Sequence, residues 1–190
     1  MNNKYMIVPL PVLETKRLTL RQLERTDCDD VYRYASLSQT TRYLLWSPHL
    51  NLFETKGYLD YARKNYRTGD FFDWGIVYKQ TEAVIGTVGF TTVDFQNNKA
   101  EIGYVLSPEY HHMGLASEAV ERILRFAFDK VCFERLEAHI MEENIPSRKL
   151  AEKHGFTLDG IMKKYLFVKG EYKNICIYSL LREDFKDITV

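Results

Sequence analysis

The feature that most constrains the fold is a strand, a lone glycine and an amphipathic helix, which follow one another between residues 99 and 124. Pro108 ends the strand and Gly114 opens the helix. The N–H groups at the start of a helix have no partner within it and attract anions, so the unit predicts a phosphate cradle. Apolar residues then recur at helical spacing, which predicts one buried helix face: Ala116, Ala119, Val120, Ile123, Leu124 and Ala127.

Strand patterns flank this unit on both sides. Residues 72–95 alternate in β-branched and aromatic side chains, which predicts a hairpin that continues into 99–106 as an antiparallel meander. The strand at 135–140 follows the helix, which predicts a right-handed parallel crossover. A strand at 16–22, helices at 28–36, 51–67 and 146–154, and a hairpin turning at 169–171 complete the chain. The order predicts an α/β fold with a mixed, mostly antiparallel sheet of about seven strands, one parallel crossover and about four flanking helices.

Size and charge narrow the class of protein. At 190 residues and 45% hydrophobic, the chain is expected to fold as one domain over 1–190. Lys plus Arg and Asp plus Glu number 26 each, so the charge balance gives no reason to expect binding to nucleic acid or to a membrane surface.

The cysteines indicate the compartment. Cys28, Cys132 and Cys176 are odd in number and scattered, which favours a reducing compartment over a disulfide framework or a zinc site. No run approaches the length of a membrane span, and the apolar patch at the start is broken by Pro9 and Pro11. We therefore expect a soluble cytoplasmic protein without a metal.

The predicted cradle has a structural explanation as well as a functional one. Consecutive backbone amides with a residue lacking Cβ at the tightest point suit a pyrophosphate. A glycine before a helix is nevertheless more often a simple turn, and neither a P-loop nor a dinucleotide-binding pattern is present.

Two separated motifs resemble those of the GNAT N-acetyltransferase superfamily. The first is Glu101-Ile-Gly-Tyr-Val-Leu106, followed by Pro108-x-Tyr and Gly114-x-Ala-x-Glu-Ala119. The second is Asn144-x-x-Ser147, followed by Leu150-Ala-Glu-Lys-x-Gly-Phe156. The opening Glu14-Thr-x-Arg17-Leu-x-Leu-Arg21 and the terminal Tyr178-x-Leu-Leu-Arg-Glu-Asp184 are most similar to the RimJ/RimL-like subgroup. The resemblance covers residues 14–185.

This resemblance implies transfer of an acetyl group from acetyl-CoA, the donor substrate, to a primary amine. Where the family carries Gln or Arg at the start of its pyrophosphate loop, this chain has His111, and it has His112 where the subgroup often has glycine. The residues expected to contact CoA are Val105, Leu106, His111, His112, Met113, Gly114, Leu115, Ala116, Ser117 and Asn144.

The chemistry requires a base, an oxyanion donor and an acid. An ammonium has no lone pair, so it must lose a proton before it attacks the thioester, and Glu101 matches the family's position for the base. Backbone N–H groups near Tyr104 and Val105 are the expected oxyanion donors. Ser147 and Tyr104 are both candidates for protonating the CoA thiolate. Glu101 could instead only order the site, and Ser147 could serve only the first turn of its helix.

Several alternatives stay open at this point. A GNAT-fold module that binds CoA or a partner without turnover is the alternative to an enzyme. The acceptor could be a protein α-amine, a small amino compound or an amino-group antibiotic. We expect residues 43–70 and the hairpin at 165–175 to wall its pocket. Family members are often dimers, so a homodimer is the expected assembly.

Overall fold

The computed structural model describes residues 7–185 and contains one sheet in the order β1-β2-β3-β4-β5-β6-β8-β7. Every neighbouring pair is antiparallel except β5 with β6, which is the predicted parallel crossover. The strands are β1 (Leu13–Glu14), β2 (Leu18–Arg21), β3 (Phe72–Tyr78), β4 (Ala83–Asp94), β5 (Lys99–Leu106), β6 (Arg135–Met141), β7 (Thr157–Val168) and β8 (Glu171–Leu181).

In the described part of the chain, residues 7–185, five α-helices accompany the sheet, and local signals explain the ends of the longest one. Asn51 caps the longest one by accepting hydrogen bonds from the N–H groups of Phe53 and Glu54, and Gly69 ends it in the left-handed conformation at φ 69°. The helices are α1 (Cys28–Ala35), α2 (Ser38–Thr41), α3 (Leu52–Thr68), α4 (Leu115–Arg125) and α5 (Ile145–Lys153). After α4 the chain continues for six residues as a π-helix, Phe126–Val131.

The two faces of the sheet have different partners. On one face Trp74 is fully buried, with its ring 5.6 Å from that of Phe126 just beyond α4. On the other face lie α1 and α3, which contact each other. From α3, the Tyr66 hydroxyl donates to the backbone oxygen of Asp73 at 2.6 Å and accepts from the N–H of Leu23 at 3.2 Å. The sheet therefore separates an α4 side from an α1/α3 side.

The predicted mixed, mostly antiparallel architecture is confirmed, with two short additions. β1 has two residues and α2 has four, which is too short for a periodic pattern to reveal. The sequence also predicts Asp27 as the N-cap of the helix at 28–36, and Asp27 does occupy the N-cap position of α1. Its carboxylate makes no capping hydrogen bond there, because it forms an ion pair with Arg21 at 2.8 Å and accepts from the N–H of Glu24.

The position of the site follows from how β5 and β6 pair. Their register contains only three pairs, from Lys99 with Arg135 to Glu101 with Glu137. Beyond Glu101 the two strands diverge although each continues for several residues. A gap therefore opens in the middle of the sheet, directly before the α4 cradle.

Candidate functional site

A cavity of about 750 Å³ passes through the gap between β5 and β6. Its lining includes Tyr104, Val120 and Ser147 from the α4 side, and Glu101 and His139 from the α1/α3 side. Side chains alternate across a strand, so Glu101 and Tyr104, three residues apart, lie on opposite faces of β5. One continuous space thus reaches both faces of the sheet.

On the α4 side, the second motif meets the first. The Tyr104 hydroxyl donates to Ser147 Oγ at 2.9 Å, and the Asn144 side-chain oxygen accepts from the Ser147 N–H at 3.3 Å, at the start of α5. Burial raises the pKa of Tyr104, and its hydrogen bond with Ser147 only partly offsets this. Tyr104 is therefore a protonated hydroxyl that can donate a proton, with Ser147 in direct contact.

On the α1/α3 side, Glu101 belongs to a row of polar groups. Its carboxylate Oε2 lies 3.5 Å from His139 Nδ1, and its side chain is 22% exposed. The other ring nitrogen of His139, Nε2, lies 3.3 Å from Glu137 Oε2. The imidazole therefore stands between two carboxylates, one of which lines the cavity.

The second carboxylate of this row is held ionised. Burial alone would raise the pKa of Glu137, but hydrogen bonds and charge from Arg135 and Lys99 outweigh it and the pKa is lowered. Arg135 Nε lies 2.7 Å from Glu137 Oε1, and Lys99 Nζ lies 3.4 Å from the same atom. An ionised Glu137 fixes the orientation of His139 beside Glu101.

Further along the same side, the cavity wall is aromatic. The ring centroids of Trp46 and His49 are 5.3 Å apart, and those of His49 and Tyr58 are 6.4 Å apart. Tyr43, Leu44, Leu45, Tyr165, Leu166 and Ile175 also line the cavity, so both segments expected as walls take part. Lys169 Nζ donates to the backbone oxygen of Thr41 at 2.5 Å and ties the β7–β8 hairpin to α2.

The predicted cradle has its N–H groups free. Within residues 7–185 the backbone N–H groups of 112–117 donate no hydrogen bond. Positive φ angles at His112, 61°, and Gly114, 76°, turn the chain at this point, and α4 begins at Leu115. Orphan N–H groups at a helix start are the arrangement that binds a pyrophosphate, so the residues present fit CoA.

A hydrogen-bonded clamp from the turn between β1 and β2 holds this loop against α4. Arg17 donates to the backbone oxygen of Met113 at 2.8 Å and to Glu118 Oε2 at 2.7 Å, and Thr15 donates to Glu118 Oε1 at 2.6 Å. Burial would raise the pKa of Glu118, but these bonds from Thr15 and Arg17 lower it. The clamp places a guanidinium beside the anion site.

The other residues expected to contact CoA differ in their burial and in their hydrogen-bond partners. Leu115 is fully buried and Leu106 is 8% exposed, so their side chains belong to the core. His111 is exposed, and its Nε2 lies 3.1 Å from the Leu106 backbone oxygen. Ser117 Oγ accepts from Lys153 Nζ at 2.9 Å. His112, Met113 and Gly114 are exposed, whereas Val105 and Ala116 are partly buried.

Of the two backbone N–H groups expected as oxyanion donors, those of Tyr104 and Val105, one faces the gap. The Ser107 N–H donates to the Ile85 oxygen of β4 at 2.7 Å. N–H groups alternate in direction along a strand, so the Val105 N–H also points to β4. The Tyr104 N–H points the other way, into the gap between β5 and β6.

Three residues of the site were not expected from the sequence: Arg17, Asp73 and His139. Arg17 was noted only as part of the resemblance. His139 follows Glu137 by two residues on a strand, which places both on one face, but only the β5–β6 register shows that Glu101 is their neighbour. No local signal marks Asp73.

Two structural findings bear on other kinds of site. Among residues 7–185, no group of three or more His, Cys, Asp or Glu side chains is arranged to hold a metal ion. In the same range, no helix has both the length and the hydropathy needed to cross a membrane.

Comparisons with known proteins agree with this geometry. A family model described as an acetyltransferase (GNAT) domain matches residues 17–157. The chain is 32% identical to the uncharacterized N-acetyltransferase p20 of Bacillus licheniformis over 176 residues, which cover 93% of this chain and 99% of that protein. A GNAT-family acetyltransferase from Bacillus anthracis has a TM-score of 0.81 at 25% identity, over 91% of this chain and 99% of that one. The microcin C7 self-immunity acetyltransferase MccE, solved with acetyl-CoA and AMP, shares the fold with a TM-score of 0.80 at 21% identity, over 88% and 93% of the two chains. The chain belongs to the GNAT acetyltransferase family, as its two motifs predicted.

Proposed function

We propose that the protein is an N-acetyltransferase that moves an acetyl group from acetyl-CoA to a primary amine by direct attack. The observation that carries the proposal is the cavity through the β5–β6 gap. It puts Tyr104 and Ser147 on the same side of the sheet as the anion cradle, and Glu101 on the opposite side. A thioester in the gap would therefore have a proton donor beside its sulfur atom, and a base on the side from which the amine attacks.

The cradle and α5 would hold the donor. The open N–H groups of 112–117 suit the pyrophosphate, and the ion pair of Arg17 with Glu118 holds the loop that carries them. The strand end at Val105 and Leu106 and the helix start at Asn144 border the path from the cradle to the gap. The two histidines of the loop do not obstruct this, because the His111 ring turns toward the Leu106 oxygen.

The transfer can be written with its protons accounted for. Glu101, directly or through a water, takes a proton from the acceptor ammonium, and the amine nitrogen bonds to the thioester carbon. The Tyr104 N–H in the gap stabilises the oxyanion. When the C–S bond breaks, Tyr104 protonates the leaving thiolate, with Ser147 hydrogen-bonded to it at 2.9 Å. The nitrogen's second proton passes through water to the Tyr104 oxygen and restores its hydroxyl. An amide and free CoA result, and the first proton remains on Glu101.

The acceptor in this proposal is a protein N-terminal α-amine, as in the RimJ/RimL-like subgroup, or a small amino compound. The proposal also includes a single catalytic domain, a cytoplasmic location consistent with three free cysteines, and a homodimer that light scattering would reveal.

Release of CoA thiol tests the proposal, measured with peptides, polyamines, amino acids and aminoglycosides. We expect Glu101→Gln to lower kcat by about 100-fold or more on any accepted amine while the Kd for acetyl-CoA stays the same, because the base acts only on the acceptor. Glu134→Gln is the matched control, since that carboxylate is 64% exposed on the rim of β6.

Three results would contradict the proposal or part of it. Thiol release that is unchanged in Glu101→Gln would remove Glu101 as the base. Binding of acetyl-CoA without release on any amine would favour the alternative, a CoA-binding module without turnover. No binding at all would overturn the assignment of the cradle.

A further inference from the structure

The cavity has a marked charge asymmetry. Among residues 7–185, two carboxylates line it, those of Glu101 and Asp73, and no lysine or arginine does. Glu101 has His139 beside it, as described above. Asp73 lies on β3, two strands away from β5, and has no role in the proposed transfer.

The carboxylate of Asp73 has no partner. Within residues 7–185 no hydrogen bond or ion pair reaches either of its side-chain oxygens, and the Tyr66 hydroxyl donates to the backbone oxygen of Asp73, not to its carboxylate. Burial raises the pKa of Asp73 to about 7. A carboxylate enclosed in this way costs folding free energy unless a cation or donor reaches it. The surface that Asp73 keeps is on the cavity.

The sheet directs this carboxylate toward the reacting end. Asp73 pairs with Gly89 of β4, and Gly89 pairs with Gly103 of β5. A Cβ at Gly89 would stand 2.6 Å from Asp73 Oδ1, so the carboxylate leans over the place where a side chain would be. Asp73 and Gly103 are two strand spacings apart, about 10 Å between Cα atoms. The gap for the thioester begins at Gly103.

Aromatic side chains line the same cavity, and two of them, Tyr34 and Tyr58, lie close enough to feel the charge of Asp73. Tyr34, Trp46 and Tyr58 line it together with Asp73. Burial raises the pKa of Tyr34 and of Tyr58, and the nearby charge of Asp73 raises each further, so both hydroxyls stay neutral close to the carboxylate. Ring faces beside a carboxylate are a favourable setting for an organic cation.

From these contacts we propose that Asp73 and the rings of Tyr34, Trp46 and Tyr58 form a subsite for a second cationic group on the acceptor. The preferred acceptor is then a small diamine. One amine lies at the gap near Glu101 and is acetylated, and the other stays protonated and pairs with Asp73. This inference rests on the proposed acetyl transfer and adds the substrate class to it.

The test compares acceptors of equal length. A straight-chain diamine series is measured against monoamines and ω-amino acids of the same chain length, by thiol release with wild type and Asp73→Asn. We expect the diamine to be favoured in kcat/KM, and Asp73→Asn to lower its kcat/KM by about 10- to 100-fold, which corresponds to loss of one charge-assisted bond. The monoamine should change by less than about threefold. Asp29→Asn, an exposed carboxylate in the first turn of α1, is the matched control.

Calorimetry of diamine binding to the protein saturated with CoA separates this inference from the proposed function. If no amine is acetylated but the diamine binds to wild type and not to Asp73→Asn, the subsite stands and the proposed transfer fails. If amines are acetylated but mono- and diamines lose equally in Asp73→Asn, or neither loses, the subsite is wrong. A preference for the ω-amino acid would also overturn it.

Discussion

At the scale of single residues, Asp73 is a partly buried carboxyl group that has no cation or hydrogen-bond donor beside it among residues 7–185. Its ordinary pKa of 3.8 is raised to about 7 by burial. Between these two values the unfolded chain has lost the proton that the folded chain still holds. The stability cost of this group therefore grows as the pH rises from about 4 to about 7 and stays constant above that.

Removing the charge should relieve that cost. We expect Asp73→Asn to be more stable than wild type without ligand, and the gain to be larger at pH 8 than at pH 5 by up to about 2 kcal/mol. Thermal unfolding at the two pH values measures this, as a difference of roughly 5 °C in the Tm gain. Asp29→Asn, at an exposed carboxylate, is the matched control. An equal gain at both pH values would mean that Asp73 is ionised throughout.

A site residue could be predicted where the residues that define its role are close to it in sequence, and not where they are close only in space. Glu101, Tyr104, Asn144 and Ser147 stand in continuous motifs. Strand alternation already implies that Glu101 and Tyr104 occupy opposite faces. Asp73 depends on which strands pair and in which register, which no local pattern contains.

At the scale of elements, the cradle depends on a backbone conformation that favours glycine. Gly114 has φ 76°, and a Cβ there would meet only Arg17 Nη2 at an ordinary 3.5 Å. The cost of Gly114→Ala therefore comes from the left-handed conformation, about 1 kcal/mol, and would be relieved by a shift of the loop. Such a shift moves the N–H groups that face the pyrophosphate.

We expect Gly114→Ala to raise the Kd for acetyl-CoA about tenfold, the equivalent of one hydrogen bond to a charged group. Calorimetric titration measures it. Gly170→Ala is the matched control, because Gly170 has φ 85° in the β7–β8 turn with nothing within 4 Å of a Cβ. Both variants should lose similar stability, but only the first should lose affinity. Equal Kd values for the two would contradict a backbone cradle.

The elements themselves were largely predictable because glycine, proline and asparagine mark their ends. Asn51 and Gly69 mark the two ends of α3, and Pro108 and Gly114 mark the two ends of the cradle loop. The β7–β8 hairpin turns at Lys169 and Gly170. The divergence of β5 from β6 was not predictable from periodicity. Both strands alternate through most of their length, and the gap arises from how far they pair.

At the scale of the whole molecule, the sheet separates the α4 side from the α1/α3 side, and the gap between β5 and β6 connects them. The cradle and α5 lie on one side, and the carboxylates and aromatic rings lie on the other. The two substrates would therefore enter from opposite faces and meet in the gap. Neither has to leave before the other binds.

This arrangement predicts a sequential mechanism with no acetylated enzyme. Among the described residues, Cys28 and Cys176 are buried, and none of the three cysteines lines the cavity. Burial raises the pKa of Cys176, which disfavours its thiolate. Initial rates at varied acetyl-CoA and amine should give intersecting double-reciprocal lines. Intact-protein mass after incubation with acetyl-CoA alone should be unchanged. Parallel lines together with an added acetyl mass would instead require a covalent intermediate, and the opening in the sheet would then not be the place where the two substrates meet.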